Sequence, residues 1–151
     1  MNTELMFSTG NEHWSTPLDL FDELNAEFKF TVDVCADTSN YKVKKHYNKK
    51  TNGLEQSWVN ESVWCNPPYG KTISEWVSKA KRTILFSSNP ADVVVMLLPA
   101  RTDTKWFHDN IYENPHCEVR FIKGRLKFSG HKHSAPFPSM IVIFRKNDTA
   151  A

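Results

Sequence analysis

The chain has 151 residues, of which 40% are hydrophobic and 24% are charged. This length and balance are those of one compact domain with a hydrophobic core, and they exclude an intrinsically disordered chain. The formal net charge of +2 says little about partners by itself. No apolar run approaches the roughly 20 residues of a membrane helix, so we expect no membrane association.

The ends of the chain differ in character from its middle. Residues 1–12 are polar and lack the basic start and apolar core of a signal peptide. We therefore expect a flexible lead-in over 1–12, a single domain over 13–146 and a short tail over 147–151.

The cysteines and histidines do not form a recognisable ligand pattern. Cys35, Cys65 and Cys117 lie far apart in the sequence and form no CxxC pair, which is typical of reduced cysteines in the cytoplasm. His131 and His133 have no second ligand pair at the spacing that zinc requires. We predict no metal site.

The first predicted elements are a helix and a strand. Thr16 is expected to cap the helix, with Pro17 as its first residue and Asp19 as the acidic partner of a capping box. The apolar residues that follow at helical spacing are Leu18, Phe21, Leu24 and Phe28. The alternation over 29–34 then predicts a strand.

The middle of the chain alternates further strands and helices. Ser62–Cys65 is predicted as a strand and 72–86 as a helix, because Ile73, Trp76, Val77, Ala80 and Ile84 share one helical face. The continuous apolar run over 93–98 is typical of a strand buried on both faces. Thr102 or Asp103 is expected to cap a further helix. The closing strands are predicted over 118–122, 125–128 and 140–144.

This order predicts an α/β fold with a mostly parallel sheet, an antiparallel C-terminal edge and helices on both faces. Ligands of such folds bind beyond the carboxyl ends of the parallel strands. Three segments, 33–37, 66–70 and 99–103, are expected at those ends. We therefore predict a single site built from them.

The segment Asn66-Pro67-Pro68-Tyr69 has a composition suited to holding an amine. Two prolines fix the backbone and aim the Pro67 carbonyl, while Asn66 can present its side-chain oxygen beside it. Two acceptors at a fixed separation match an NH₂ group, and Tyr69 can lay a flat ring against a flat base. The alternative is an ordinary turn after a strand, with a core tyrosine.

Two basic segments contain interleaved aromatic residues, a mixture that can contact phosphates and bases. The first covers 41–50 and includes Lys44 and Lys45, and the second covers 120–133 and includes Arg125 and Lys127. Arg101 is a further candidate, either for DNA contact or for the start of the next helix. The alternative for both segments is a solvated surface.

Several motifs occur together in one order, and as a set they resemble the phage-type Dam DNA adenine-N-6 methyltransferase family. The motifs are HWSTP at 13–17, VDVCAD at 32–37, GL at 53–54 with Trp58, WCNPPY at 64–69, LLPARTD at 97–103 and GRLKF at 124–128. The resemblance covers nearly the whole chain. One difference from methyltransferases in general is that no glycine-rich loop follows the first strand.

The resemblance implies a Rossmann-like class I methyltransferase domain that uses S-adenosyl-L-methionine to methylate adenine in DNA. Asn66, Pro67, Pro68 and Tyr69 would be catalytic and would hold a flipped-out adenine. The residues implied to bind the cofactor are Trp14, Thr16, Pro17, Asp33, Ala36, Asp37 and Trp58. For Asp33 the alternative is a turn former, and for the tryptophans it is core packing.

The same resemblance implies DNA as the partner and a phage or prophage gene expressed in the cytoplasm of a bacterial host. No obligate protein partner is evident in the sequence. Two other functions agree with the same residues. The first is the same chemistry on RNA or on a protein amide. The second is a nucleic-acid-binding domain without turnover.

Overall fold

The structure is a computed structural model that describes residues 14–37 and 40–146. The lead-in expected over 1–12 and the tail expected over 147–151 lie outside these ranges, and they stay predictions. No helix within the described ranges is long and apolar enough to cross a membrane.

The described residues alternate helices and strands, which confirms the α/β class. The helices are α1 (Leu18–Phe28), α2 (Ile73–Leu85) and α3 (Lys105–Asn110), with a 3-10 turn at Gly53–Glu55. The strands are β1 (Val32–Asp33), β2 (Ser62–Cys65), β3 (Val93–Pro99), β4 (Cys117–Phe121) and β5 (Ser139–Phe144).

The strands form one mixed sheet in the order β1-β2-β3-β5-β4. β1, β2 and β3 are parallel neighbours, whereas β5 pairs antiparallel with both β3 and β4. The expected antiparallel C-terminal edge is formed by β5 and β4, but the sheet is only partly parallel, because β5 lies inside it and makes both of its pairings antiparallel. Its six residues are all buried, while β4 is only partly buried and carries Glu118 and Arg120. A fully buried strand gains most from two neighbours, and a strand that carries charged side chains suits an edge.

Helix α1 packs on the sheet through an aromatic contact and a hydrogen bond. Phe21 of α1 packs edge-on against Trp64 of β2, with ring centroids 5.5 Å apart. Ser62, on the same face of β2 as Trp64, donates from its hydroxyl to the carbonyl of Phe28 at 2.8 Å. The predicted apolar face of α2 is confirmed, since all five of its residues are buried. The expected placement of helices on both faces, and with it the Rossmann-like class, stays a prediction.

The start of α1 differs from the prediction. Pro17, not Thr16, occupies the cap position with φ −59° and ψ 136°, and no side chain caps the helix. Thr16 is 2% exposed, and its hydroxyl accepts from Asn66 instead. Lys29 ends the helix in the left-handed conformation, donating to the Asn25 carbonyl at 2.8 Å. This ending displaces the start of β1 to Val32.

Two later predictions are also corrected. Thr104 caps α3 by accepting from the Phe107 amide at 3.3 Å, so the predicted caps Thr102 and Asp103 are wrong. Residues 125–128 form no strand. They lie in an irregular segment between β4 and β5, where Phe128 is buried and its neighbours Arg125 and Lys127 are exposed. The buried Phe128 ring and the bond from the Ala135 amide to the Leu126 carbonyl at 2.7 Å hold this segment without a strand partner.

Candidate active site

A cavity of about 570 Å³ opens beyond the carboxyl ends of β1 and β2. It is lined by 34–37, by Asn48, Lys49 and 52–54, and by Pro68, Thr72, Glu75 and Trp76. Its volume is within the range of small-molecule sites, about 300–1,000 Å³. The predicted residues Ala36, Asp37 and Pro68 therefore meet at one cavity, on the predicted rim of the sheet.

A larger hollow, of about 830 Å³, lies between α2 and α3. It shares Asn52, Leu54 and Glu75 with the first cavity, but none of the site residues predicted from sequence lines it. The smaller cavity is the better candidate because it adjoins the Pro-Pro turn.

One wall of the cavity depends on a close approach of two backbone segments. A side chain at Gly53 would overlap the Val34 carbonyl oxygen and come within 3.3 Å of the Trp76 ring. Trp58 donates from its indole nitrogen to the Gly53 carbonyl at 3.0 Å. Trp58 is 1% exposed and does not line the cavity. Its observed contact is with the wall, which it supports from behind.

Asp33 fastens the loop that borders the cavity. Its two carboxylate oxygens accept from the amides of Cys35 at 3.2 Å and of Lys42 at 3.0 Å. Burial raises the pKa of the Asp33 carboxyl, and the two main-chain donors oppose this shift. Asp33 does not line the cavity, whereas Asp37 and Glu75 do, together with Lys49. The acidic groups in direct reach of a ligand are therefore Asp37 and Glu75.

Asn66 follows β2 directly and is 5% exposed. Its Nδ2 donates to the Trp14 carbonyl and to the Thr16 hydroxyl, the second at 3.1 Å. Its Oδ1 is buried and has no hydrogen-bond partner among the described residues. No donor from those residues reaches the Pro67 carbonyl either. Two neighbouring acceptors are thus available, and a buried unpaired acceptor is costly unless something binds it.

The segment 14–16 reaches Asn66 because the turn around Ser129 holds it. Ser129 donates from its amide to the Ser15 carbonyl at 3.0 Å and from its hydroxyl to the Thr16 carbonyl at 3.2 Å. The Trp14 ring stacks on His131 with centroids 4.5 Å apart. Trp14, Thr16 and Pro17 do not line the cavity. The two side chains at 14 and 16 lie on the Asn66 side of the site.

Tyr69 is packed among aromatic side chains next to this segment. It is 7% exposed, and its hydroxyl donates to the Leu97 carbonyl at 3.0 Å. Phe128 and Phe137 lie edge-on to its ring at 6.5 and 5.5 Å between centroids. Burial raises the pKa of Tyr69 well above its usual range, so the phenol stays neutral. In this conformation Tyr69 is a core residue, and stacking on a base requires the ring to become accessible.

The comparisons with known proteins identify the family. The model of the family described as "DNA N-6-adenine-methyltransferase (Dam)" matches residues 5–150. A protein named "DNA N-6-adenine-methyltransferase", from Haemophilus phage HP1 (strain HP1c1), is 30% identical over 138 residues. The match covers 87% of this chain and 77% of that protein. The chain belongs to the DNA N-6-adenine-methyltransferase family.

In this family member, the basic segment 41–50 borders β1 and reaches the cavity. The Asp33 amide donates to the Lys45 carbonyl at 3.0 Å, and the Tyr47 amide donates to the Asp33 carbonyl at 2.9 Å. Lys45 is paired with Glu61, whereas Lys44 is exposed. Lys49, which belongs to the predicted basic segment but was not predicted as a site residue, lines the cavity.

Other cavity residues were also missed by sequence reasoning. Asn48, Asn52, Thr72 and Glu75 stand outside the recognised motifs, and only the Asn52-Gly53 turn carried a local signal. Arg101 lies beside the Phe137 ring, 5.9 Å from its centroid. Within 14–37 and 40–146, no group of three acidic, histidine or cysteine side chains is arranged to hold a metal ion.

Proposed function

We propose that this family member transfers a methyl group from S-adenosyl-L-methionine to the exocyclic amine of an adenine flipped out of DNA. The observation that carries the proposal is the state of Asn66. Its amide nitrogen is satisfied by Trp14 and Thr16, while its oxygen is buried without a partner among the described residues.

The two available acceptors explain how the site would activate the amine. The lone pair of an adenine amine is delocalised into the ring, so the nitrogen is a poor nucleophile. Asn66 Oδ1 and the Pro67 carbonyl would each accept one of its two hydrogens. This favours a pyramidal nitrogen and localises the lone pair. The contribution is orientation and electrostatics, and it needs no covalent intermediate.

No strong base is needed before transfer, because the amine proton becomes acidic only as the new bond forms. Asn66 is uncharged and acts as an acceptor, while the buried Tyr69 phenol stays protonated. The role of Tyr69 is to stack on the adenine once its edge-on neighbours yield access to the ring. Pro67 and Pro68 keep the two acceptors at a fixed separation.

The cavity fits the proposed cofactor in size and charge. S-adenosyl-L-methionine supplies an activated methyl group when bound, and it carries positive charge on sulfur and on its amino group. Asp37 and Glu75 place carboxylates at the cavity, and Ala36 and Gly53 leave room beside them. Asp33 would act by holding the loop. Trp14, Pro17 and Trp58 are kept as cofactor residues only as predictions, since none lines this cavity. Thr16 does not line it either, and its hydroxyl is bound by Asn66 instead.

DNA binding would use exposed cations around the site. The exposed cations are Lys44, Arg101, Arg125 and Lys127, whereas Lys45 forms an ion pair with Glu61. Such groups bind phosphates without reading sequence. We further propose action in the cytoplasm of a bacterial host, which the phage relative supports.

The test is methyl transfer from labelled S-adenosyl-L-methionine to plasmid DNA, followed by identification of the modified base. Wild-type protein should yield N6-methyladenine. Asn66→Ala should lower kcat by at least about 10²-fold, the cost typical of losing one charge-stabilising group, with cofactor affinity retained. Asn110→Ala is the control, because the Asn110 side-chain amide donates within α3, to the Trp106 carbonyl at 3.0 Å.

Three outcomes would contradict the proposal. Near-normal turnover of Asn66→Ala would remove the amine-holding role. Methylation of RNA or of a protein amide, but not of DNA, would support the alternative substrate class. DNA binding without transfer to any substrate would support a non-catalytic domain.

A further inference from the structure

We propose that Thr16 is a positioning residue for Asn66. Its hydroxyl and the Trp14 carbonyl together hold the Asn66 amide in the one orientation that presents Oδ1 to a substrate amine. The inference rests on the proposed function, and it concerns a side chain that the sequence assigned to the cofactor.

The Trp14 carbonyl decides which way the amide faces. A carbonyl can only accept a hydrogen bond, so Asn66 must turn Nδ2, and not Oδ1, toward it. The reverse orientation would set two oxygens against each other. Thr16 Oγ1 accepts the second Nδ2 hydrogen at 3.1 Å. Both donors of the amide are then used, and Oδ1 keeps both of its lone pairs.

Thr16 is committed to this contact rather than to a local one. A threonine before a helix ordinarily caps it by accepting from a backbone amide of the first turn. Here no side chain caps α1, and Pro17 occupies the cap position. The hydroxyl is buried and is directed at Asn66, 50 residues away in sequence.

The segment that carries Thr16 is fixed independently of Asn66. Ser129 donates to the two consecutive carbonyls of Ser15 and Thr16, and Trp14 stacks on His131. The two acceptors for Nδ2 therefore belong to a braced segment. Rotation of the Asn66 amide must break bonds to this segment.

The test compares Thr16→Val, which keeps the shape and removes the hydroxyl, with Thr16→Ser, which keeps the hydroxyl. Loss of one neutral hydrogen bond to the reacting group should lower kcat roughly tenfold in Thr16→Val. KM for DNA and affinity for S-adenosylhomocysteine should stay within about twofold, and Thr16→Ser should restore most of kcat. In the Asn66→Ala background, Thr16→Val should not lower kcat any further, because Thr16 acts only through Asn66.

A readout independent of turnover follows the Asn66 side-chain NH₂ by NMR. Its exchange with water should be slow in wild-type protein, faster in Thr16→Val, and slow again in Thr16→Ser. Thr31→Val is the control, since its hydroxyl bonds to Glu61 at the opposite end of β1. It should change neither kcat nor the Asn66 signals.

The outcomes separate this inference from the proposed function. If wild-type protein transfers methyl groups and Thr16→Val does so within twofold, the positioning role is overturned and the function stands. If Thr16→Val instead weakens S-adenosylhomocysteine binding equally with and without Asn66, Thr16 is a cofactor residue and the inference is wrong. If the Asn66 NH₂ exchanges faster in Thr16→Val but wild-type protein transfers no methyl group, the proposed function is overturned and the contact between Thr16 and Asn66 is established.

Discussion

Gly53→Ala is the substitution whose effect follows most directly from the structure. A Cβ at this position would overlap the Val34 carbonyl oxygen, far inside the 3.0 Å that real Cβ atoms keep. The obstructing atom is backbone, so it cannot rotate away. Either Val34 must retreat, which disturbs its amide bond to the Trp64 carbonyl at 3.1 Å, or Gly53 must retreat from the Trp58 indole at 3.0 Å.

The expected cost is about 3 kcal/mol, the upper end for overpacking a closed site. For a domain of this size, each kcal/mol lowers Tm by about 2–4 °C, so Tm should fall by about 6–12 °C. Thermal unfolding followed by circular dichroism measures this shift. Val34 and Gly53 both line the cavity, so calorimetry should also show weaker S-adenosylhomocysteine binding.

Gly124→Ala is the matched control. Gly124 has a φ of +78°, and no atom of the described residues lies within 4 Å of a Cβ added there, so the substitution adds strain without overlap. It should cost about 1 kcal/mol and leave ligand affinity unchanged. A Gly53→Ala protein whose Tm lies within about 2 °C of wild type has lost no more than about 1 kcal/mol of unfolding free energy. That result, together with normal ligand affinity, would refute the reasoning.

Three further predictions test the site, a half-buried thiol and the basic surface. Tyr69→Phe should lower the unfolding free energy, measured by urea unfolding, by about 1 kcal/mol, because it removes the hydroxyl's bond to a β3 carbonyl. Turnover should be retained, since the ring that would stack on the base remains. Loss of turnover in a variant that is still folded would contradict the stacking role. Burial raises the pKa of Cys35 from 9.0 to about 12. The unfolded chain therefore loses the thiol proton first, so the contribution of the neutral Cys35 thiol to the unfolding free energy is present below pH 9 and is lost as pH rises toward 12. At pH 8, mass spectrometry should show iodoacetamide labelling Cys35 at least about 10²-fold more slowly than in denatured chain, and equal rates would disprove the shift. Replacing Lys44 and Lys50 with glutamine should reduce the slope of log affinity for DNA against log salt concentration by about 2. The control Lys146→Gln should leave the slope unchanged. An unchanged slope in the double variant would exclude these lysines of the basic segment 41–50 from phosphate contact.

Local sequence patterns predicted the elements that a single periodicity controls. The buried face of α2 follows from apolar spacing, and β3 follows from a continuous apolar run, since each element needs only its own residues to choose its buried side. The Asn66–Tyr69 turn was likewise readable, because two prolines restrict the backbone whatever surrounds them.

Predictions failed where a distant partner competed for a group. Thr16 has the sequence of a helix cap, yet its hydroxyl is bound by Asn66. Residues 125–128 alternate like a strand, yet only Phe128 is buried and the backbone finds no strand partner. Helix-cap and strand propensities depend on neighbouring residues, so they cannot predict a hydrogen bond that forms only when two distant segments meet in the fold.

The sequence by itself determined the α/β class, the family resemblance and the position of the Asn-Pro-Pro-Tyr motif after a strand, because these depend on residue types in a fixed order. Tertiary structure alone decided what surrounds that motif. No glycine-rich loop follows β1, and the close backbone approach at the cavity is made instead by Gly53 against Val34, brought together across the fold. The orientation of the Asn66 amide was equally unreadable, because its acceptors at 14 and 16 are distant in sequence and become neighbours only when the domain closes.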